Sequence, residues 1–175
     1  MEYQKTDNGA YGPSSWNVSV TTQSAPFKKE PAAGSGKIVR GVLNFGANSS
    51  NAIPFLWQQD AWKLYLDLNR NRDLTDDPAG VLLSDKRSGV HYQMFTNVHL
   101  MFDTPSGQRT VLADINFYDF FSQASCMFTV RTFWQGKLTL QGRDWQADII
   151  PSGADHLESV EGSRLLLRPW ENRKQ

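Results

Sequence analysis

From Ile38 to Ile150 the chain is built of short runs in which apolar and polar residues alternate, parted by turn residues. That period of two constrains the fold more than any other feature, because it puts successive side chains on opposite faces of a strand. In one run Trp62, Leu64, Leu66 and Leu68 face one way, and Lys63, Tyr65 and Asp67 the other. In a later run Phe128, Val130, Thr132 and Trp134 share a face. Residues 46–51, Thr104-Pro105-Ser106-Gly107 and Gln141-Gly142 supply turn chemistry between runs. No stretch holds a helical period for long, and only residues 119–125 read as weakly helical, a single helical turn or a loop. About ten short strands with no long helix predict an all-β fold, an antiparallel β-sandwich or barrel. Pro54 places the run 53–57 at a sheet edge.

Residues 1–37 read as an N-terminal tail with one strand at Trp16–Val20, followed by a linker over 23–37 rich in Pro and Gly. Residues 38–170 read as one β domain, and 171–175 as a polar tail. Segments 41–83 and 136–166 are faintly alike. Laid together, Trp62 meets Trp145, Leu66 meets Ile149, and Leu82-Leu83 meets Leu165-Leu166. Two related halves would produce this match. So would the alternation of any two amphipathic strands.

The chain has 175 residues, enough for a single sizeable core. Six Trp and ten Phe favour a β-rich, aromatic interior. The formal net charge is zero, which leaves no basic field to hold nucleic acid. No apolar run approaches the roughly 20 residues of a membrane-spanning helix. Cys126 is the lone cysteine, so no internal disulfide can form, and its apolar neighbours predict a buried, inert thiol. The N-terminal stretch lacks an apolar signal core, so any signal segment lies outside this chain.

Chemically useful side chains concentrate in one stretch, Lys63 to Pro78, where a strand runs into a loop of oxygen donors. Asp67, Asn69, Asn71 and Asp73 occupy every second position, followed by Thr75, Asp76 and Asp77. A hard cation such as Ca²⁺ takes six to eight oxygens at about 2.3–2.6 Å, and a loop with oxygens at alternate positions can wrap one. Asp67, Asn69 and Asn71 match the first three ligand positions of an EF-hand loop, with Asp73 and Thr75 further on. The sequence departs from that pattern at Arg72, where glycine makes the sharp turn, and at Pro78, where a bidentate Glu belongs. Asp76 or Asp77 would have to replace that Glu. The competing reading is a loop rigidified by Asx turns with no ion. Zinc is disfavoured because the loop has no His or Cys.

No HExxH, GxSxG, P-loop or GxGxxG motif occurs. Carboxylates that could form a glycosidase pair include Asp114 with Asp148 or Glu158, but spacing selects none of them. Trp57, Trp62, Trp134, Trp145 and Trp170, with Tyr65 and Tyr92, could line a sugar platform, although core packing is the simpler use of most.

The run from Lys63 to Asp77, with Trp134 to Leu140 and Leu165 to Trp170, resembles uncharacterised, exported β-rich proteins of environmental bacteria that carry a calcium-loop-like motif after a strand. The resemblance covers roughly residues 38–170 and implies a secreted or periplasmic setting and a Ca²⁺ ligand. It implies no catalytic residue. A cytoplasmic setting is compatible with the residues themselves. The expected function is a non-enzymatic binding or structural β-module of a larger protein, its partner a glycan or another extracytoplasmic protein. The alternative is a carbohydrate-active or carbohydrate-binding domain.

Overall fold

A computed structural model describes residues 2–5, 14–22, 27–32, 34, 36–45, 49–84, 91–105, 107–120, 123–153 and 163–170. Twelve strands account for most of them: β1 (Glu2–Lys5), β2 (Ser14–Thr22), β3 (Ile38–Asn44), β4 (Ile53–Gln58), β5 (Lys63–Leu66), β6 (Val81–Leu83), β7 (Tyr92–Thr104), β8 (Gly107–Phe120), β9 (Gln123–Val130), β10 (Thr132–Leu140), β11 (Arg143–Ile150) and β12 (Arg164–Pro169). Among the described residues the only helical pieces are two single 3₁₀ turns, Ser49–Asn51 and Pro78–Gly80. The chain is all-β, as its alternation predicts, and every strand pairing is antiparallel.

Eight strands form one sheet in the order β6-β5-β4-β3-β2-β9-β8-β7, and four form a second in the order β1-β10-β11-β12. The large sheet is folded over on itself, and β2 is the corner. Its first half, Ser14 to Val18, pairs with β9, while Ser19 to Thr22 pairs with β3. A strand that changes partners midway lets two limbs face each other. One limb is β3 to β6; the other is β7 to β9. Gly41 sits near the corner, where an added Cβ would lie 2.6 Å from the Thr21 carbonyl oxygen, so no larger residue fits unshifted.

The faces that meet are aromatic. Phe55 and Trp57 on β4 lie 4.9 and 5.1 Å, centroid to centroid, from Phe117 on β8. Phe45, just beyond β3, meets Phe102 on β7 at 5.1 Å and Phe128 on β9 at 5.0 Å. Tilted and edge-on ring pairs of this kind are worth about 0.5–1.5 kcal/mol each beyond the area they bury. Leucine, isoleucine and valine side chains from seven strands complete this core, and Cys126 is buried within it. Burial pushes the Cys126 thiol well above its ordinary pKa, so it is inert as expected.

Several local expectations change. Residues 2–5, read as tail, form β1 against β10. Within 119–125, Asp119 pairs with Ala124 and Phe120 with Gln123, so the described residues there belong to strands β8 and β9 and not to a helical turn, while 121–122 lie outside the described residues. Pro54 lies in an interior strand, between β3 and β5. It is tolerated there because it stands at the start of β4, where its carbonyl accepts the Asp67 N–H at 2.9 Å. Trp62 is not on a strand but in the turn before β5, with φ +57°. Tyr65, on the face it shares with Lys63 and Asp67, is buried too. It packs with Leu56 and Leu74 on the outer face of the β4–β5 pair, against Phe27 and Ile38.

Because Phe117 touches Phe55 and Trp57 across the fold and Phe95 on the neighbouring strand β7, Phe117→Ala should lower unfolding free energy by about 3–5 kcal/mol in urea titration. A loss below about 1 kcal/mol would mean that the limbs do not meet at this ring.

Candidate metal-binding loop

The loop from Asp67 to Asp77 leaves the end of β5 and returns through the Pro78–Gly80 turn to β6. Asp67 is fully buried. Its two carboxylate oxygens accept the backbone N–H groups of Asn71 at 3.1 Å and Arg72 at 2.9 Å. The other oxygens continue the pattern. Asn69 Oδ1 accepts the Asn71 N–H at 3.0 Å, Asn71 Oδ1 the Asp73 N–H at 2.7 Å, and Asp73 Oδ1 the Thr75 N–H at 2.9 Å. Asp77 Oδ2 closes the loop by accepting the Leu68 N–H at 3.0 Å. The alternate spacing of Asp and Asn therefore has a direct use: each side chain satisfies a backbone donor two to five residues on.

Two arginines take the backbone through the left-handed region, Arg70 at φ +60° and Arg72 at φ +69°. Arg72 thus does the turning that glycine does in an EF-hand loop, at a strain of about 1–2 kcal/mol. The sequence suggests that Arg70 repels a cation. Its guanidinium instead turns away and donates to the Met101 carbonyl on β7 at 2.8 Å. Gly80 fits beneath the loop because an added Cβ would sit 2.1 Å from the Leu66 carbonyl oxygen.

The stretch read as a linker is part of this site. Lys28 N–H donates to the Arg72 carbonyl at 2.8 Å, and the Lys29 carbonyl accepts the Leu74 N–H at 3.1 Å. Lys29 Nζ pairs with Asp73 Oδ2 at 3.3 Å, and Glu30 binds Arg40 on β3 through two hydrogen bonds. Residues 27–30 are therefore a strap across the loop. The hydrogen bonds from Thr75, with Lys29 beside it, hold the Asp73 carboxyl below the usual carboxylate range.

All seven residues singled out in the sequence lie in this loop, and its hydrogen-bond network joins them. Asp76 accepts the side-chain amides of Asn69 at 3.2 Å and Asn71 at 2.7 Å. Burial pushes the Asp77 carboxyl up, as do the charges of Asp67 and Asp76, against the pull of the Asn69 and Leu68 N–H groups. Among the described residues no lysine or arginine forms an ion pair with Asp67, Asp76 or Asp77. Neither is any group of three or more His, Cys, Asp or Glu placed to hold a metal ion. The donor set is all hard oxygen, which suits Ca²⁺, and an oxygen that accepts one N–H keeps a second lone pair. To admit the ion between the acids, the Asn69 and Asn71 amides would have to turn away from Asp76.

Other candidate acids are held apart. Asp114 on β8 is bound by Arg131 and accepts the N–H of Asn97, at the bulge of β7, at 3.1 Å. Asp148 on β11, in the other sheet, is fully buried and accepts from Gln135 at 2.9 Å, Gln146 at 3.1 Å and Arg168 at 2.7 Å. Glu158, Leu157 and His156 lie outside the described residues. The aromatic residues form no single platform. Trp57 and Tyr65 are in the interior, Trp134 lies under the Arg109 guanidinium, and Trp170 lies under Lys137. Nothing in its local sequence singles out Asp119. Buried at the end of β8, it accepts from Lys37 Nζ at 2.5 Å and Gln59 Nε2 at 2.9 Å, with His91 Nδ1 at 4.0 Å. A search of protein-family models, of curated proteins and of solved structures finds no match to this chain.

Two measurements probe these clusters. Asp67→Ala takes the acceptor from the Arg72 N–H and leaves the Asn71 N–H to Asn69 alone, and should cost about 1–3 kcal/mol in urea titration, whereas Arg72→Gly, freed of the left-handed strain, should cost nothing or gain up to about 1 kcal/mol. A large loss in Arg72→Gly would show that the side chain itself holds the loop. Burial alone would raise the Asp119 pKa, but the Lys37 and Gln59 hydrogen bonds and the Lys37 and His91 charges outweigh it and lower it. A lowered folded-state carboxyl stabilises above its unfolded value and loses that stabilisation as pH falls through the folded value. Asp119→Asn should therefore flatten the acid limb of the stability–pH profile below about pH 4, and an unchanged limb would contradict the ion pair.

Proposed function

We propose that this chain is a non-enzymatic β-module of an extracytoplasmic protein, with a binding or structural role, in which the 67–77 loop is a clasp that Ca²⁺ tightens. The observation that carries the reading is the buried Asp67 carboxylate, spent on two backbone N–H groups rather than aimed at a cleft. The loop's own bonds and the strap at residues 27–30 shape it before any ion arrives. Calcium would then offset the repulsion that Asp67 and Asp76 exert on Asp77. The non-enzymatic part rests on the remaining buried acids: Asp114, Asp119 and Asp148 are each engaged by a cation, which suits a structural carboxylate better than a proton donor.

Thermal unfolding in Ca²⁺, in Mg²⁺ and in chelator tests the clasp. Calcium at 100 times its Kd should add about 2.7 kcal/mol of stability, with Mg²⁺ adding less. The double substitution Asp76→Asn with Asp77→Asn should abolish the gain while the protein stays folded. An equal midpoint in calcium and chelator would strip the ion from this reading and leave a purely hydrogen-bonded clasp.

A further inference from the structure

The alternation of β9 runs on unbroken into β10. Val130 points into the core, Arg131 points outward to Asp114, and Trp134 is back on the core side, beneath the Arg109 guanidinium of β8 at 5.6 Å. The Arg131 N–H also donates to the Leu112 carbonyl on β8 at 2.7 Å, so the four-stranded sheet prolongs the β7–β9 limb.

The core-side face of this sheet is apolar. Strand register sets Gly136, Ala147 and Leu167 in one row of that face, and Leu138, Trp145 and Pro169 in the next. Arg143, at the hairpin tip, is the one charged side chain that β10, β11 and β12 place there. The ion pairs of these strands, Asp148 with Arg168 at 2.7 Å and Asp144 with Lys137 at 2.6 Å, lie on the opposite face. A sheet hides an apolar face beneath a second layer. The β3–β6 limb is that layer for β7–β9, but it does not cover the prolongation: Leu138, Leu140, Leu165 and Leu167 are 37% to 54% exposed. An open groove of about 550 Å³ runs beside Leu140, Trp145 and Leu167.

We propose that a second copy of this chain is the missing layer, its four-stranded sheet stacked antiparallel on this one about a two-fold axis that crosses the strands between the two rows. That rotation lays each strand over its own equivalent and exchanges the rows. Gly136 then meets Leu138 of the other copy, and Ala147 meets Trp145, small against large, with each contact made twice. Each copy's sheet continues the β3–β6 layer of the other, and the two Arg143 side chains stand at opposite ends. Other occupants fit less well. An acidic segment or an anionic bilayer would find Arg143 alone on this face. The segments 154–162 and 171–175, which adjoin β11 and β12 in the chain, hold Leu157 and Val160 as their only large apolar residues. Four strands about 4.8 Å apart, with β11 eight residues long, span about 500 Å² on each copy, the lower end of a specific contact, so the dimer is weak, with a dissociation constant on the order of 100 µM. The inference goes beyond the role proposed above and stands whether or not the clasp binds calcium.

Sedimentation velocity over a concentration series tests it. Monomer should give way to dimer as the chain passes about 100 µM, and high salt should leave the dimer intact because no ion pair holds it. Leu138→Glu sets a carboxylate against Gly136 twice over and should weaken the dimer at least about tenfold. Leu165→Glu, at the most exposed leucine of this face, should weaken it too, and Leu166→Ser on the opposite face should not. All three positions are exposed, so the unfolding midpoint of the dilute monomer should hold. A chain that stays monomeric up to about 1 mM, or a dimer that both glutamates leave intact, would overturn the proposal. So would a dimer that salt dissolves. A monomer that floats with phosphatidylglycerol vesicles, and ceases to in Leu138→Glu, would overturn it by giving the face to lipid.

Discussion

The stacking of Phe55, Trp57 and Phe45 on Phe117, Phe102 and Phe128 is the interaction from which the rest of this structure hangs. It holds the two limbs of one eight-stranded sheet face to face. Neither limb buries an apolar face without the other, so the fold exists only once β2 has turned the corner between them. Everything chemically distinctive lies around this sandwich: the oxygen loop beyond β5, the bulge on β7, and the polar cluster where β8 ends.

Polar groups that enter the interior arrive in connected chains. Trp57 Nε1 donates to Gln93 Oε1 at 2.7 Å, Gln93 Nε2 to the Gln59 carbonyl at 2.7 Å, and Gln59 Nε2 to Asp119 at 2.9 Å. Lys37 completes the series at the surface. A buried polar group left without a partner costs about 1–3 kcal/mol, so such a chain fixes the relation of the limbs where aromatic packing alone would tolerate slippage. Asp114 plays the same part at the β7 bulge, where Asn97 takes φ +57° and its N–H is claimed by the carboxylate.

The strand architecture was legible because alternation is a local signal. Each run from β3 to β11 declares its own faces. The oxygen loop was legible for the same reason: Asp67 to Asp77 is contiguous, and its turns are made within five residues. What the sequence hid was non-local. Residues 27–30 look like a linker because their partners, Arg72 to Leu74, lie more than forty residues on. The burial of Tyr65 was hidden because alternation shows two faces but not that a strap covers the second. Pro54 argued for an edge because nothing in its neighbourhood reveals that the strands on both sides start their pairing around it. Asp119 gave no sign at all, since Lys37 and Gln59 are brought to it only by the folded sheet.

The corner strand has a further consequence, which concerns time rather than shape. Ser15 on β2 shares a hydroxyl hydrogen bond with Thr129 on β9, 114 residues away, and β1 closes on β10 over a still longer span. Contacts so distant in sequence demand that a large loop be closed before they return any stabilisation. The β3–β6 meander and the β7–β9 meander can each assemble from neighbours in the chain, but the strand that joins them precedes both. Synthesis delivers that strand before either meander, yet its β9 partner emerges only after every strand from β3 to β8 has been made. β2 can cover the β3 edge as soon as both are made, but until β9 emerges the first half of β2, Ser14 to Val18, is an unpaired margin where the finished protein has a continuous sheet.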